Sequence, residues 1–141
     1  MATEAPLTIQ DVIAVAEFRS ALRHFLRRSE KIARQSGLTP QRYTLLMMIK
    51  GAPGGAEQST VTELAERLQL AQSTVTELVR RAETAGLIER EQSQRDARVA
   101  HLRLTTEGER RLMLSFTALE TERAQLREAF ANLDGGVSGS A

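Results

Sequence analysis

Residues 61–90 read VTELAERLQLAQSTVTELVRRAETAGLIER, and the way this stretch divides decides the fold. Glu63 to Leu68 forms a short helical run behind Thr62, whose hydroxyl suits an N-cap. A tight turn then leads into a second run from about Gln72 to Ala85, which Gly86 ends. At about 100° per residue, Val75, Leu78, Val79 and Ala82 share a narrow arc of the second helix, and Ser73, Thr76, Glu77 and Arg80 share the opposite one. Two helices joined this closely need a small residue where their axes approach, and Ala65 supplies it. The stretch therefore predicts a helix-turn-helix with one face packed and one facing out. Ser73, Thr76 and Arg80 are short or planar donors suited to base edges and phosphates in a major groove, which admits one helix. An ordinary surface helix shows the same polarity, so this segment alone leaves both readings open.

Downstream, Leu87 to Gln92 and Val99 to Leu104 are short extended runs flanking the polar segment 93–98, which predicts a hairpin with arginines at its tip. Thr105 or Thr106 then caps a long helix, residues 105–133. In it Leu112, Phe116, Leu119, Leu126, Phe130 and Leu133 keep a heptad-like spacing broken at Arg123. Upstream, Thr8 with Asp11 opens a helix that Ser36-Gly37 closes, residues 8–36. Its stripe of Val15, Phe18, Leu22, Phe25 and Ile32 is interrupted at Ser29 and runs roughly 40 Å. Arg23, Arg27, Arg28, Lys31 and Arg34 form a basic flank, read first as a solvated face with phosphate contact as the alternative. Thr39-Pro40 starts a second helix that the loop Gly51-Ala52-Pro53-Gly54-Gly55 stops. Residues 134–141 are small and polar and are expected to form a disordered tail.

The predicted fold is mostly α with a small β-hairpin wing. A winged helix-turn-helix at residues 38–104 is flanked by long N- and C-terminal dimerisation helices, all within one domain of 141 residues. The terminal helices carry more apolar surface than the central module can cover, and a symmetric partner's equivalent helices would bury the rest, so a homodimer is expected.

Composition narrows the function. Cysteine is absent, which excludes a disulfide framework, a thiolate zinc site and a thiol redox sensor. No apolar run approaches the ~20 residues of a membrane span, and residues 1–6 do not read as an export signal, so a cytoplasmic protein is expected. A net charge of +1 gives no general reason to think of nucleic acid, and 4% aromatic content argues against base-stacking on a sheet. His24 and His101 are the only imidazoles and have no spacing that suggests metal ligation or a nucleophile's base. No enzyme activity, metal or cofactor is expected.

Residues 61–68, 72–76 and 86–90 together resemble a winged helix of the MarR (multiple antibiotic resistance regulator) family, and the resemblance spans residues 38–112. Its most specific part is Asp96-Ala97-Arg98-Val99-Ala100-His101-Leu102-Arg103-Leu104-Thr105, which matches the family's wing pattern of Asp-x-Arg followed by a strand ending in Leu-Thr. The resemblance implies a transcriptional regulator of double-stranded DNA, a dimeric repressor by expectation. It implies a DNA-contact set of Gln72, Ser73, Thr74, Thr76, Glu77, Arg80 and Arg81 on the second helix, with Arg95, Asp96 and Arg98 on the wing. Arg98 would enter the minor groove, Asp96 would hold neighbouring arginines, and Arg81 and Arg95 would meet phosphates.

The chain departs from the family pattern at Ala71, where a serine cap is common, and at Gln69, where the turn often has glycine. Glu77 stands where a neutral or basic residue would suit phosphate better, and it would instead accept from a cytosine amino group. A further helix beyond the long C-terminal one is common in the family, whereas the apolar spacing here stops at Leu133, so a smaller or differently arranged dimer is expected. The resemblance also implies a small aromatic or phenolic effector that releases DNA, with His24, Arg28, Tyr43, Met47 and Phe116 as the residues to line its pocket. Tyr43, Met47 and Phe116 are read first as plain core, with the pocket as the alternative. The rival from another class is a winged-helix protein-interaction module, favoured by the near-neutral charge and Glu77; a ligand-independent regulator is the nearer alternative.

Overall fold

The computed structural model describes residues 6–138, with side-chain surroundings described as far as Leu133. Six α-helices and one hairpin follow in the order α1 (Ile9–Gln35), α2 (Pro40–Lys50), α3 (Val61–Leu68), α4 (Gln72–Thr84), β1 (Ile88–Gln92), β2 (Ala100–Leu104), α5 (Thr106–Ala118) and α6 (Glu120–Ser138), with a 3-10 turn at Pro53–Gly55. Helix α1 begins in a capping box. The Thr8 hydroxyl accepts from the Asp11 backbone N–H at 3.2 Å, and the Thr8 N–H donates to the Asp11 carboxylate at 3.0 Å. It ends at Gly37, whose φ of +77° is the left-handed conformation that lets the Leu38 N–H reach back to the Ala33 carbonyl at 2.9 Å. Ser29, the interruption in the apolar stripe, is buried because its hydroxyl is satisfied within the helix by the Phe25 carbonyl at 2.8 Å.

The core lies where α2, α4 and the hairpin meet. Leu45, Leu46 and Ile49 of α2 are fully buried with Leu64 of α3, Val75, Val79 and Ala82 of α4, and Leu87 and Leu102 of the wing. Every apolar residue assigned to the inner arc of α4 is buried.

Three expectations require correction. The cap of α3 is Thr60, two residues earlier than Thr62. The Thr60 hydroxyl accepts from the Glu63 N–H, and Glu63 returns a bond to the Thr60 N–H, so the Thr-x-x-Glu box defines the helix start. The C-terminal helix of residues 105–133 is two helices divided at Leu119, which is fully buried. Its division has a local cause: the Arg123 guanidinium caps the Phe116 carbonyl, which also accepts from the Leu119 N–H at 3.2 Å. Arg123 stands 3.7 Å over the Phe116 ring as well, so the residue that breaks the heptad spacing terminates α5. The chain therefore does have a second helix after the wing, and α6 packs along α1 with Phe18 and Phe130 edge-to-face at 6.0 Å. Finally, α6 continues to Ser138, so residues 134–138 are helical; the rest of the expected tail lies outside the described residues.

One pairing went unanticipated. Ser59 bridges Leu102 through reciprocal backbone bonds of 3.1 and 2.8 Å, which adds a third extended segment beside the middle of β2.

Candidate nucleic-acid interface

Helix α4 is positioned by its buried arc, which leaves Gln72, Ser73, Thr74, Thr76, Arg80 and Arg81 exposed and Glu77 partly so. Ala71 occupies the N-cap without a side-chain hydrogen bond, so the first turn of α4 keeps free N–H donors. Gln69, in the turn, adopts φ 57° and ψ 45°, a left-handed conformation costly for a residue with a Cβ, and its side-chain amide donates to the Glu66 carbonyl at 2.7 Å. Along α4 the Gln72 amide approaches the Thr62 hydroxyl at 3.4 Å, and the Thr76 hydroxyl donates to the Gln72 carbonyl at 2.8 Å.

Glu77 is engaged within its own helix. Its carboxylate accepts from Arg80 twice, Nε to Oε2 at 2.9 Å and Nη2 to Oε1 at 2.5 Å, and from Arg81 Nε to Oε1 at 3.0 Å. Hydrogen bonds from Arg80 lead the causes that bring its pKa down to about 2, with Arg81 adding to the effect, so the carboxylate is ionised at any working pH.

The wing is a ladder from Ile88↔Leu104 to Gln92↔Ala100. Its loop is organised by Ser93, whose hydroxyl accepts from the backbone N–H groups of Arg95 and Asp96 at 3.2 and 3.4 Å. Asp96 in turn accepts from the Arg98 backbone N–H at 3.0 Å and from Arg98 Nε at 3.1 Å, with Nη2 at 3.4 Å from its second oxygen. The Asp96 carboxyl is held below the usual range, first by the side-chain bond from Arg98 and then by the backbone one. The Arg98 side chain is 91% exposed, so its guanidinium is oriented but not covered. Arg95 is exposed beside it.

Two connections were not foreseen from the sequence. Arg90 of β1 donates to Glu83 of α4 at 2.9 Å, which ties the wing to the second helix of the helix-turn-helix. A surface cleft of about 390 Å³ between the α3 N-terminus and the wing is lined by Thr60, Thr62, Arg90 and Arg98. The Glu-Arg-Arg cluster on α4 was readable as i,i+3 and i,i+4 spacing, whereas the Arg90 contact needs the fold.

The five residues expected around an effector are less concentrated. Tyr43 is buried, Met47 is half-buried, and Phe116 lies outside the core beneath Arg123. Burial pushes the Tyr43 hydroxyl's pKa up, opposed by the Arg123 charge, which places that cation near both aromatics. Arg28 pairs with Glu122 at 3.2 Å across the α1–α6 seam. His24 is exposed in a surface groove with Arg23, Leu26, Arg27 and Glu30, a group that includes none of the other four. Among the described residues there is no cluster of three or more histidines, cysteines and carboxylates suited to a metal ion, and no helix is long and apolar enough to cross a membrane.

A model of the MarR family matches residues 36–99. Among solved structures, the chain is similar to a MarR family transcription regulator with a TM-score of 0.68 and 24% identity, over 90% of this chain and 82% of that one. It is similar to a mutant of MepR from S. aureus bound to an oligodeoxyribonucleotide, with a TM-score of 0.65 and 21% identity over 88% and 95%. A third likeness is to Sco3205, a MarR family transcriptional regulator from Streptomyces coelicolor in complex with DNA, with a TM-score of 0.61 and 22% identity over 92% and 78%. No curated protein matches the chain by sequence.

Proposed function

We propose, from the MarR family model that matches residues 36–99, that these residues form a winged helix of that family and that the chain is a sequence-specific regulator of transcription that binds double-stranded DNA as a homodimer. The observation that carries this reading is the joint geometry of α4 and the wing. The polar arc of α4 is open for a major groove, and Arg98, steered by Asp96, projects from a wing that Arg90 and Glu83 hold against the same helix. A guanidinium at such a tip suits a narrow, strongly negative minor groove. Two structures of similar fold are DNA complexes, which supports the same occupant.

A dimer is supported by apolar residues with no cover within the chain. Leu7, Ile9, Val12, Ile13 and Val15 at the start of α1, with Met113, Leu114 and Phe116 on α5, are each at least 39% exposed. A dimer formed through them would have to present its two α4 helices about 34 Å apart to engage successive major grooves. Repression released by a small aromatic or phenolic ligand is the regulatory reading. It is supported by Arg123, which stands over the Phe116 ring and whose charge reaches the buried Tyr43 hydroxyl. Such a ligand acts only through unequal affinity for the two conformations.

The test is fluorescence anisotropy with DNA from upstream of the protein's own gene, comparing wild type and Arg98→Ala across a salt series. Tight, salt-sensitive, sequence-selective binding that Arg98→Ala weakens supports the regulator. Equal, weak binding of both proteins to specific and scrambled DNA overturns it in favour of a protein-interaction module.

A further inference from the structure

Arg80 is seven residues beyond Ser73, so it returns to within about 20° of that side chain on the helix wheel and lies in the middle of the outward arc, whereas Arg81 stands on its flank. Glu77 holds Arg80 by a fork: Nε–H and one Nη2–H are spent on its two carboxylate oxygens, at 2.9 and 2.5 Å. A guanidinium has five donors, so the Nη1–Nη2 edge is left with one N–H from each nitrogen, parallel and directed away from the carboxylate. Of the four bases, guanine alone shows two adjacent acceptors, O6 and N7, in the major groove; adenine pairs an acceptor with a donor there.

We propose that Arg80, aimed by Glu77, reads a guanine in each half-site of the DNA that this protein binds. The inference rests on the DNA-binding reading and specifies its sequence. Glu77 is then a positioning residue. Its lone pairs are committed to Arg80 and Arg81, so it directs a guanidinium at a base instead of accepting from a cytosine itself. The arrangement exchanges affinity for selectivity. The carboxylate cancels one positive charge that would otherwise attract any phosphate, and in return it removes the rotational freedom that would let Arg80 settle on the backbone.

The experiment is selection from a randomised duplex library with wild type, Arg80→Ala and Glu77→Ala, followed by affinities on the selected and on scrambled duplexes. Both substituted side chains are on the surface, so the fold is retained. Wild type is expected to select a guanine at one fixed position per half-site, and Arg80→Ala is expected to lose that preference, with about tenfold or greater loss of discrimination. Glu77→Ala is expected to move two readings in opposite directions, tighter binding to scrambled DNA and weaker discrimination at the guanine. If wild type selects a sequence and Arg80→Ala selects the same one with uniformly lower affinity, Arg80 is a phosphate contact and the proposal is overturned. If Glu77→Ala leaves discrimination unchanged, its positioning role is overturned. If wild type selects no sequence at all, the DNA-binding reading itself has failed.

Discussion

The Arg90 guanidinium on β1 donates to the Glu83 carboxylate on α4 at 2.9 Å, and this contact joins the wing to the helix whose outer face is open. Both side chains are partly exposed, so the pair contributes little to stability, on the order of 0.2–1 kcal/mol. Its effect is expected in binding. Arg90→Ala and Glu83→Ala should each weaken DNA binding several-fold with thermal midpoints nearly unchanged, and the double substitution should be no worse than either single one. A double-mutant cycle by anisotropy reads this directly, and additive losses would show that the two residues act separately.

The wing tip separates charge from orientation. Arg98→Ala should lower the salt slope by about one phosphate equivalent or less and weaken binding most on duplexes with a narrow A·T minor groove. Asp96→Asn keeps an acceptor for the Arg98 N–H but removes the charge that pairs with its guanidinium. It is therefore expected to raise affinity for generic DNA while blunting the A·T preference. Titrations on A·T-rich and G·C-rich duplexes at two salt concentrations distinguish the effects.

Gly108 in α5 sits against the Leu87 backbone so closely that an added Cβ would overlap the Leu87 carbonyl oxygen, with the carbonyl carbon at 3.1 Å. That oxygen already accepts the Thr105 N–H at 3.0 Å, so it cannot retreat without breaking the start of α5 from the wing root. Gly108→Ala should destabilise the fold by about 1–3 kcal/mol, seen as a lower denaturant midpoint with an unchanged slope.

Glu107 accepts from Arg110 and Arg111, and those hydrogen bonds bring its pKa down to about 2. A folded-state pKa below the unfolded one makes a contribution that is present above the unfolded value, near 4.5, and lost as pH falls through the folded value. Stability should decline from about pH 4.5 toward pH 2, and Glu107→Gln should flatten that decline. Chemical denaturation across this window measures it; the group is exposed, so the effect is small.

Much of the interface was legible because it is local. The inner arc of α4, the Thr8 and Thr39 caps, the Gly37 and Gly86 stops and the Asp96-x-Arg98 wing all depend on spacings of a few residues, and each of these elements occurs where expected. The failures were also physical. Thr60 and Thr62 are both good caps, and only the reciprocal bond from Glu63 selects the first. The division at Leu119 is not legible because the apolar spacing resumes after its break at Arg123, and the cause lies in the Arg123 side chain folding back onto Phe116. Ser59 against Leu102 and Arg90 against Glu83 join segments whose pairing no local pattern encodes. The pocket residues assigned by resemblance share no such local rule, and the groove that His24 lines includes none of the other four.

The edge-to-face contact of Phe18 with Phe130 joins α1 to α6 across the winged unit, and this has a consequence for synthesis. The winged unit is an insertion within one helical hairpin. Its short-range contacts can form as soon as α4 and the wing have left the ribosome, but α1 must wait for α6, which is made after all of them. During that interval α1 presents its apolar stripe before its partner helix exists. Assembly order is thus built into the topology: winged unit first, clasp last.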